Sequence, residues 1–242
     1  MSTTYSLARR AAAWGVHLYT ATGLVCGFFA LRATVDFDAQ GTFLWLFVAL
    51  FVDSTDGMLA RAVDVKHVVP QYDGRKLDDI TDYINYVFIP VYFAYRFQLV
   101  PVGWDMVLAL PLLASAYGFC VEVAKTNDGY FTGFPSYWNV VVFYLYLLHV
   151  KPWAGALLIA YLSGMVFWPV KYLYPSQAPR FRKVLVGITC VWFAVFVGMV
   201  LDVNSVPAAL AWGSLIYPGF YMGYSIWAHV RRPRPTVQRQ LA

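Results

Sequence analysis

The chain is 242 residues long, 60% hydrophobic and 19% aromatic, with only 13% of its residues charged. Soluble domains carry about 25% charged residues, so the composition excludes an ordinary soluble domain and points to a polytopic membrane protein. The net charge of +5 sits in loops and tails, where it suits membrane topology and anionic lipid headgroups rather than nucleic acid.

Apolar segments fall near 12–31, 42–60, 79–98, 104–123, 137–150, 153–170, 183–201 and 206–228. Most approach the ~20 residues needed to cross a bilayer, although the fifth is short. They predict an all-α protein with about eight transmembrane helices, built as a single domain over residues 1–242. The first segment is too long for a cleavable signal and lacks a clear small-residue cleavage site. With the N-terminus placed in the cytoplasm, 15 of the 18 Lys and Arg fall inside, and only Arg32, Arg96 and Lys151 fall outside. This bias predicts that both termini are cytoplasmic, including the short basic tail 231–242. Cys26, Cys120 and Cys190 lie within apolar runs without metal-ligand spacing, and are expected to be small buried hydrophobes. His67, His149 and His229 are scattered near segment ends, and Arg180, Arg182 and Lys183 read as positive-inside residues.

The acidic residues are unevenly spread. Seven of the 13 lie between Asp53 and Asp82, in the stretch FVDSTDGMLARAVDVKHVVPQYDGRKLDDITDY at 51–83. Several fall at membrane depth, where charge is costly and usually functional. Asp53 and Asp56 are three residues apart, and Gly57 and Ala60 each follow one of them by a turn, so the four share a helix face. Small residues let a flat ligand approach, and Arg61 offers a planar fork for phosphate oxygens. Asp78 and Asp82, four apart, share a second face, with Gly74 four residues earlier. Two helices that each present a pair of carboxylates suit a hard divalent cation, Mg2+ or Mn2+, shared with a phosphate-bearing substrate. Without a cation, carboxylates packed this closely would repel one another. Asp64 and Asp73 lie between the helices and read as solvated loop acids; Asp79 is off the face of Asp78 and Asp82.

Written out, the pattern is Asp53-x2-Asp56-Gly57-x2-Ala60-Arg61-x12-Gly74-x3-Asp78-x3-Asp82. It resembles the signature of the CDP-alcohol phosphatidyltransferase family at every fixed position. The twelve residues between Arg61 and Gly74 exceed the family's usual spacing. With the chain length and the number of segments, they resemble a bacterial branch that joins choline directly to CDP-diacylglycerol. The resemblance implies that Asp53, Asp56, Asp78 and Asp82 bind two divalent ions, that Asp78 and Asp82 are catalytic, and that Asp82 is also the general base. It implies that Gly57 and Ala60 make room for cytidine, Arg61 binds the phosphates and Gly74 shapes the nucleotide pocket. His17 and Thr20, one turn apart in the first segment, are further candidates for contact with CDP-diacylglycerol. It further implies a multi-pass enzyme of the bacterial inner membrane, with its active site on the cytoplasmic side and membrane lipid around it, acting as a homodimer and on no nucleic acid.

A quaternary ammonium is commonly held by aromatic faces, sometimes helped by a carboxylate. The chain's one glutamate, Glu122, lies in the apolar run YGFCVEVA, toward the cytoplasmic end of the fourth segment, on the same side of the membrane as the aspartates. Glu122 with Tyr86, Tyr137 and Trp138 is the expected choline site. Three alternatives stay open. A sibling transferase for serine, inositol or glycerol phosphate would carry the same motif. An intramembrane prenyltransferase would need a second Asp-rich motif, whereas after Asp82 only Asp105, Glu122, Asp128 and Asp202 are acidic. An ion-coupled transporter predicts inverted repeats or broken helices and gives the Asp-Gly-x2-Ala-Arg face no purpose.

Overall fold

The computed structural model describes residues 5–121, 130–168, 171–173 and 182–230. Helices dominate: α1 (Leu7–Val35), α2 (Ala39–Val63), the single turn α3 (Val65–Val68), α4 (Gly74–Asp82), α5 (Ile89–Arg96), α6 (Ala109–Cys120), α7 (Trp138–Leu147), α8 (Pro152–Phe167), α9 (Arg182–Leu201), α10 (Ala208–Ser214) and α11 (Ile216–Val230). The exception among the described residues is one pair of three-residue antiparallel strands, β1 (Tyr130–Thr132) and β2 (Lys171–Leu173), with Phe131 opposite Tyr172.

Each apolar segment of the sequence contains a helix. Among the described residues, α1 and α2 are long and apolar enough to cross a membrane, and several others are shorter apolar helices. The fifth segment yields only the 10 residues of α7, about 15 Å of rise against a hydrocarbon thickness of about 30 Å.

Side chains are sorted as lipid would sort them. Helix α1 turns Leu18, Val25 and Phe28 outwards while it buries His17, Thr20, Gly23 and Gly27. An exposed apolar stripe around a polar interior is unfavourable in water and is the solvated face in a bilayer; the chain is a membrane protein. The same inversion corrects the expectation for the cysteines. Cys26 is buried, but Cys120 and Cys190 are exposed, because an apolar position in a lipid-facing helix need not point inwards.

The acidic motif lies on the second and third long helical stretches, α2 and α4 with α5, which pack against the first, α1. Asp38 joins α1 to α2 by capping the Gly41 amide at 2.8 Å, and the hydroxyls of Thr34 and Thr42 meet at 3.1 Å. From the far end of α5, Arg96 donates to the Val35 carbonyl at 3.0 Å and covers the Phe37 ring. Helices α4 and α5 run into each other through a π-turn at Tyr83–Phe88. Below them, Asp64 ends α2 in the left-handed conformation (φ 61°), which Asp tolerates better than most residues. It also receives His67 and Arg9 as polar partners. Asp73 caps α4 by accepting from the Arg75 amide at 3.1 Å and pairs with Lys76. Asp64 and Asp73 are therefore loop acids. The remaining helices pack on this unit through a core that includes Phe43, Phe93, Phe143 and Trp138.

Candidate active site

Asp53 and Asp56 sit in the C-terminal half of α2, and Asp78 and Asp82 lie in α4. Their convergence follows from the spacing: three residues on α2 and four on α4 return the side chain to nearly the same face. One carboxylate oxygen each of Asp53, Asp78 and Asp82 lies within 4.8 Å of the other two. Three anionic groups this close and half-buried repel strongly. An oxygen-only donor set of this kind fits Mg2+ or Mn2+.

Asp56 has a different environment. It is buried, and its Oδ2 accepts a hydrogen bond from the Thr20 hydroxyl of α1 at 2.8 Å. The sequence reading placed four aspartates in one cage. The structure gathers three of them, and ties the fourth to Thr20, itself a candidate for substrate contact. Asp79 is exposed, as its position off the shared face requires.

Arg61 lies back along α2, so that a Cβ on Gly57 would stand 3.4 Å from its Nη1. Ala60 packs beside a small cluster of Ala13, Val16, Val65 and Val68. Gly74 opens α4 directly against His17: a Cβ there would come within 2.8 Å of the His17 Cε1. The His17 ring stacks at a tilt on Tyr72 (4.4 Å between centroids). Its Nε2 is buried without a hydrogen-bond partner among the described residues. Two residues singled out independently in the sequence, His17 and Gly74, are thus in contact at the mouth of α1 and α4.

Of the expected choline residues, Tyr86 is buried and its hydroxyl donates to Asp53 Oδ2 at 2.8 Å. Tyr137, 51% exposed, meets the Tyr86 ring edge-on at 6.4 Å. Trp138 departs from the expectation. It is 1% exposed, and its indole N–H donates to Ser115 at 2.8 Å. Placed this way it pins the start of α7 to α6 and offers no open face to a water-soluble cation. Glu122 lies outside the described residues.

The sequence reading missed Tyr19, whose hydroxyl meets that of Thr55 at 2.7 Å beside Asp56. It also missed Asn85, which bridges α4 and α1. For Asn85 a signal existed: the stretch GLVCG places Gly23 and Gly27 four residues apart, the spacing that lets two membrane helices approach closely.

No protein-family model matches the chain. Individual curated proteins do. A phosphatidylcholine synthase of Pseudomonas aeruginosa is 40% identical over 184 residues, covering 76% of this chain and 77% of that one. One of Borreliella burgdorferi is 37% identical over 186 residues, covering 76% and 80%. One of Legionella pneumophila is 36% identical over 233 residues, covering 92% and 91%. Similarity at this level over most of both chains, together with an acidic motif gathered at one end of the first helices, shows that the chain belongs to the phosphatidylcholine synthases, a family of phosphatidyltransferase enzymes.

Proposed function

We propose that this single-domain enzyme transfers the phosphatidyl group of CDP-diacylglycerol to the hydroxyl of choline, giving phosphatidylcholine and CMP. The observation that carries this reading is the convergence of Asp53, Asp78 and Asp82 oxygens within 4.8 Å, in a chain whose relatives bear that name. These carboxylates, with Asp56 beside them, would hold one or two divalent ions. Bound there, Mg2+ or Mn2+ would neutralise the phosphate oxygens and ease the departure of CMP.

The rest is work for the protein's own residues. Arg61, exposed at the end of α2, is suited to hold the diphosphate in a bidentate grip. Gly57 and Ala60 leave the adjoining face of α2 low, and the buried Nε2 of His17 is suited to a polar atom of the nucleotide. Asp82 accepts the proton of the choline hydroxyl as the choline oxygen bonds to the phosphorus that carries the diacylglycerol. The bond from that phosphorus to the CMP oxygen breaks. The trimethylammonium group has no N–H to donate, so it is held by the aromatic faces of Tyr86 and Tyr137 with the carboxylate of Glu122. The tails stay in lipid. The apolar segments support about eight crossings of the bacterial inner membrane, and the Lys and Arg bias supports a site on the cytoplasmic side.

The test uses membranes that contain the protein, CDP-diacylglycerol and a divalent cation, with labelled choline, serine, inositol or glycerol 3-phosphate supplied separately. The expected result is label in lipid from choline alone, lost with a chelator and in Asp78→Asn. Label from another acceptor would keep the transfer chemistry and remove the assigned choline site. No label from any acceptor, with well-folded protein, would remove the reading.

A further inference from the structure

The third helical stretch faces two ways. Thr81 and Asn85, four residues apart, point at α1; Asp82 and Tyr86, each one residue later, point at α2. On the α1 side, Thr81 Cγ2 would stand 2.6 Å from a Cβ on Gly23, and Asn85 Oδ1 would stand 2.8 Å from one on Gly27. An added side chain at either position would force its neighbour to shift. On the α2 side, Asp82 joins the carboxylate cluster and Tyr86 donates to Asp53.

Asn85 is 3% exposed and sits within the π-turn at Tyr83–Phe88. Its Nδ2 donates at 3.0 Å to the Gly23 carbonyl of α1 and at 3.0 Å to the Thr81 carbonyl of its own helix. Both partners are acceptors only, so the chemistry fixes which end of the carboxamide is nitrogen. Its Oδ1 is buried with no donor among the described residues. A buried acceptor left without a partner costs free energy, and close packing of two membrane helices needs only small residues. The bond to the Gly23 carbonyl adds to adhesion between the helices, and the bond to the Thr81 carbonyl ties the same carboxamide to its own helix. What it supplies is a fixed rotation: the two donated bonds tie the widened turn to one carbonyl on each helix. π-Turns inside helices are frequent at functional sites, and rotation by a single residue is about 100°, enough to carry Asp82 and Tyr86 away from Asp53.

We propose that Asn85 is a positioning residue for the carboxylate cluster, which it holds in register by locking the π-turn of the third helical stretch against the Gly23–Gly27 groove of α1. The proposal rests on the reading of that cluster as a divalent-cation site.

The experiment measures Mn2+ binding to the purified full chain in detergent by electron paramagnetic resonance, without substrates. Asn85→Leu keeps the branched heavy-atom outline, with bulkier ends, and removes both donors. Gly27→Ala presses a methyl group on the carboxamide, and more lightly on Ile84 and Ile89, without touching a carboxylate. Gly15→Ala, on the same helix with no atom within 4 Å of its added Cβ, is the control. The expected result is a loss of Mn2+ affinity of about tenfold or more in Asn85→Leu and Gly27→Ala, as for partners that orient metal ligands, with Gly15→Ala unchanged. Turnover of the two weakened variants should recover as Mn2+ is raised, which a general packing defect would not allow. Full Mn2+ affinity in a folded Asn85→Leu overturns the proposal; if that variant fails to fold, full affinity in Gly27→Ala does so. No Mn2+ binding by the unmodified protein overturns the cation reading itself, and this proposal with it.

Discussion

The hydroxyl of Tyr86 donates to Asp53 Oδ2 at 2.8 Å, crossing from the π-turn of the third helical stretch to the first residue of the motif in α2. A phenol in this position orients the carboxylate that joins the cluster with Asp78 and Asp82. Tyr86→Phe keeps the aromatic face and removes only this bond. The divalent-cation concentration for half-maximal rate should rise roughly tenfold, while the Michaelis constant for choline stays unchanged. A rise in the choline constant alone would mean that the hydroxyl serves the acceptor rather than Asp53.

Gly57 makes no close contact that its lack of a side chain would explain. The nearest atom to an added Cβ is the Arg61 Nη1 at 3.4 Å, the end of a flexible side chain. In a helix interior, alanine is favoured over glycine by roughly 1 kcal/mol. Gly57→Ala should therefore fold and melt no lower than the parent in detergent, yet lose most of its activity through a raised Michaelis constant for CDP-diacylglycerol. Retained activity would show that the space over Gly57 is not used by substrate.

Much of this site was legible because helix periodicity is a strict rule. The spacing of four put Asp78 and Asp82 on one face of α4, where they meet Asp53, and left Asp64 and Asp73 to the ends of α2 and α4 that they cap. The fate of Asp56 was not legible. Sixty degrees of helix separate it from Asp53, enough to hand it to Thr20 on another helix, and which neighbour fills that angle is a tertiary fact. The π-turn at Tyr83–Phe88 had one signal that went unread: Pro90, just beyond it, cannot donate to the Tyr86 carbonyl and disturbs the turn before it. Trp138 was misjudged because aromatic residues abound both in cores and at membrane interfaces. The lipid-facing cysteines were misjudged because hydrophobicity in this chain does not distinguish inside from outside.

Asp56 makes Thr20 a sharper case than its sequence position suggested. A hydrogen bond to a charged group contributes roughly 1.5–3 kcal/mol, and Asp56 is 7% exposed. Thr20→Val, close in shape, should lower the melting temperature measurably, and Thr20→Ser should restore it. Equal melting of Thr20→Val and the parent would show that the carboxylate finds another donor.

The contact of Gly74 with His17 yields a pair of opposed substitutions. Gly74→Ala drives a methyl group to 2.8 Å from the His17 Cε1, in a cluster where Trp14, His17 and Tyr72 already touch. Overpacking of this kind costs about 1–3 kcal/mol, so Gly74→Ala should melt lower than the parent. His17→Ala removes the obstacle, and residues in contact couple rather than add. The double variant should therefore melt higher than Gly74→Ala alone. Its activity tells a second thing. If His17 only fills space, activity returns with stability; if its buried Nε2 reads the nucleotide, the double variant folds but keeps the raised CDP-diacylglycerol constant of His17→Ala. Melting temperatures that simply add would show that the α4 N-terminus relieves the clash by moving.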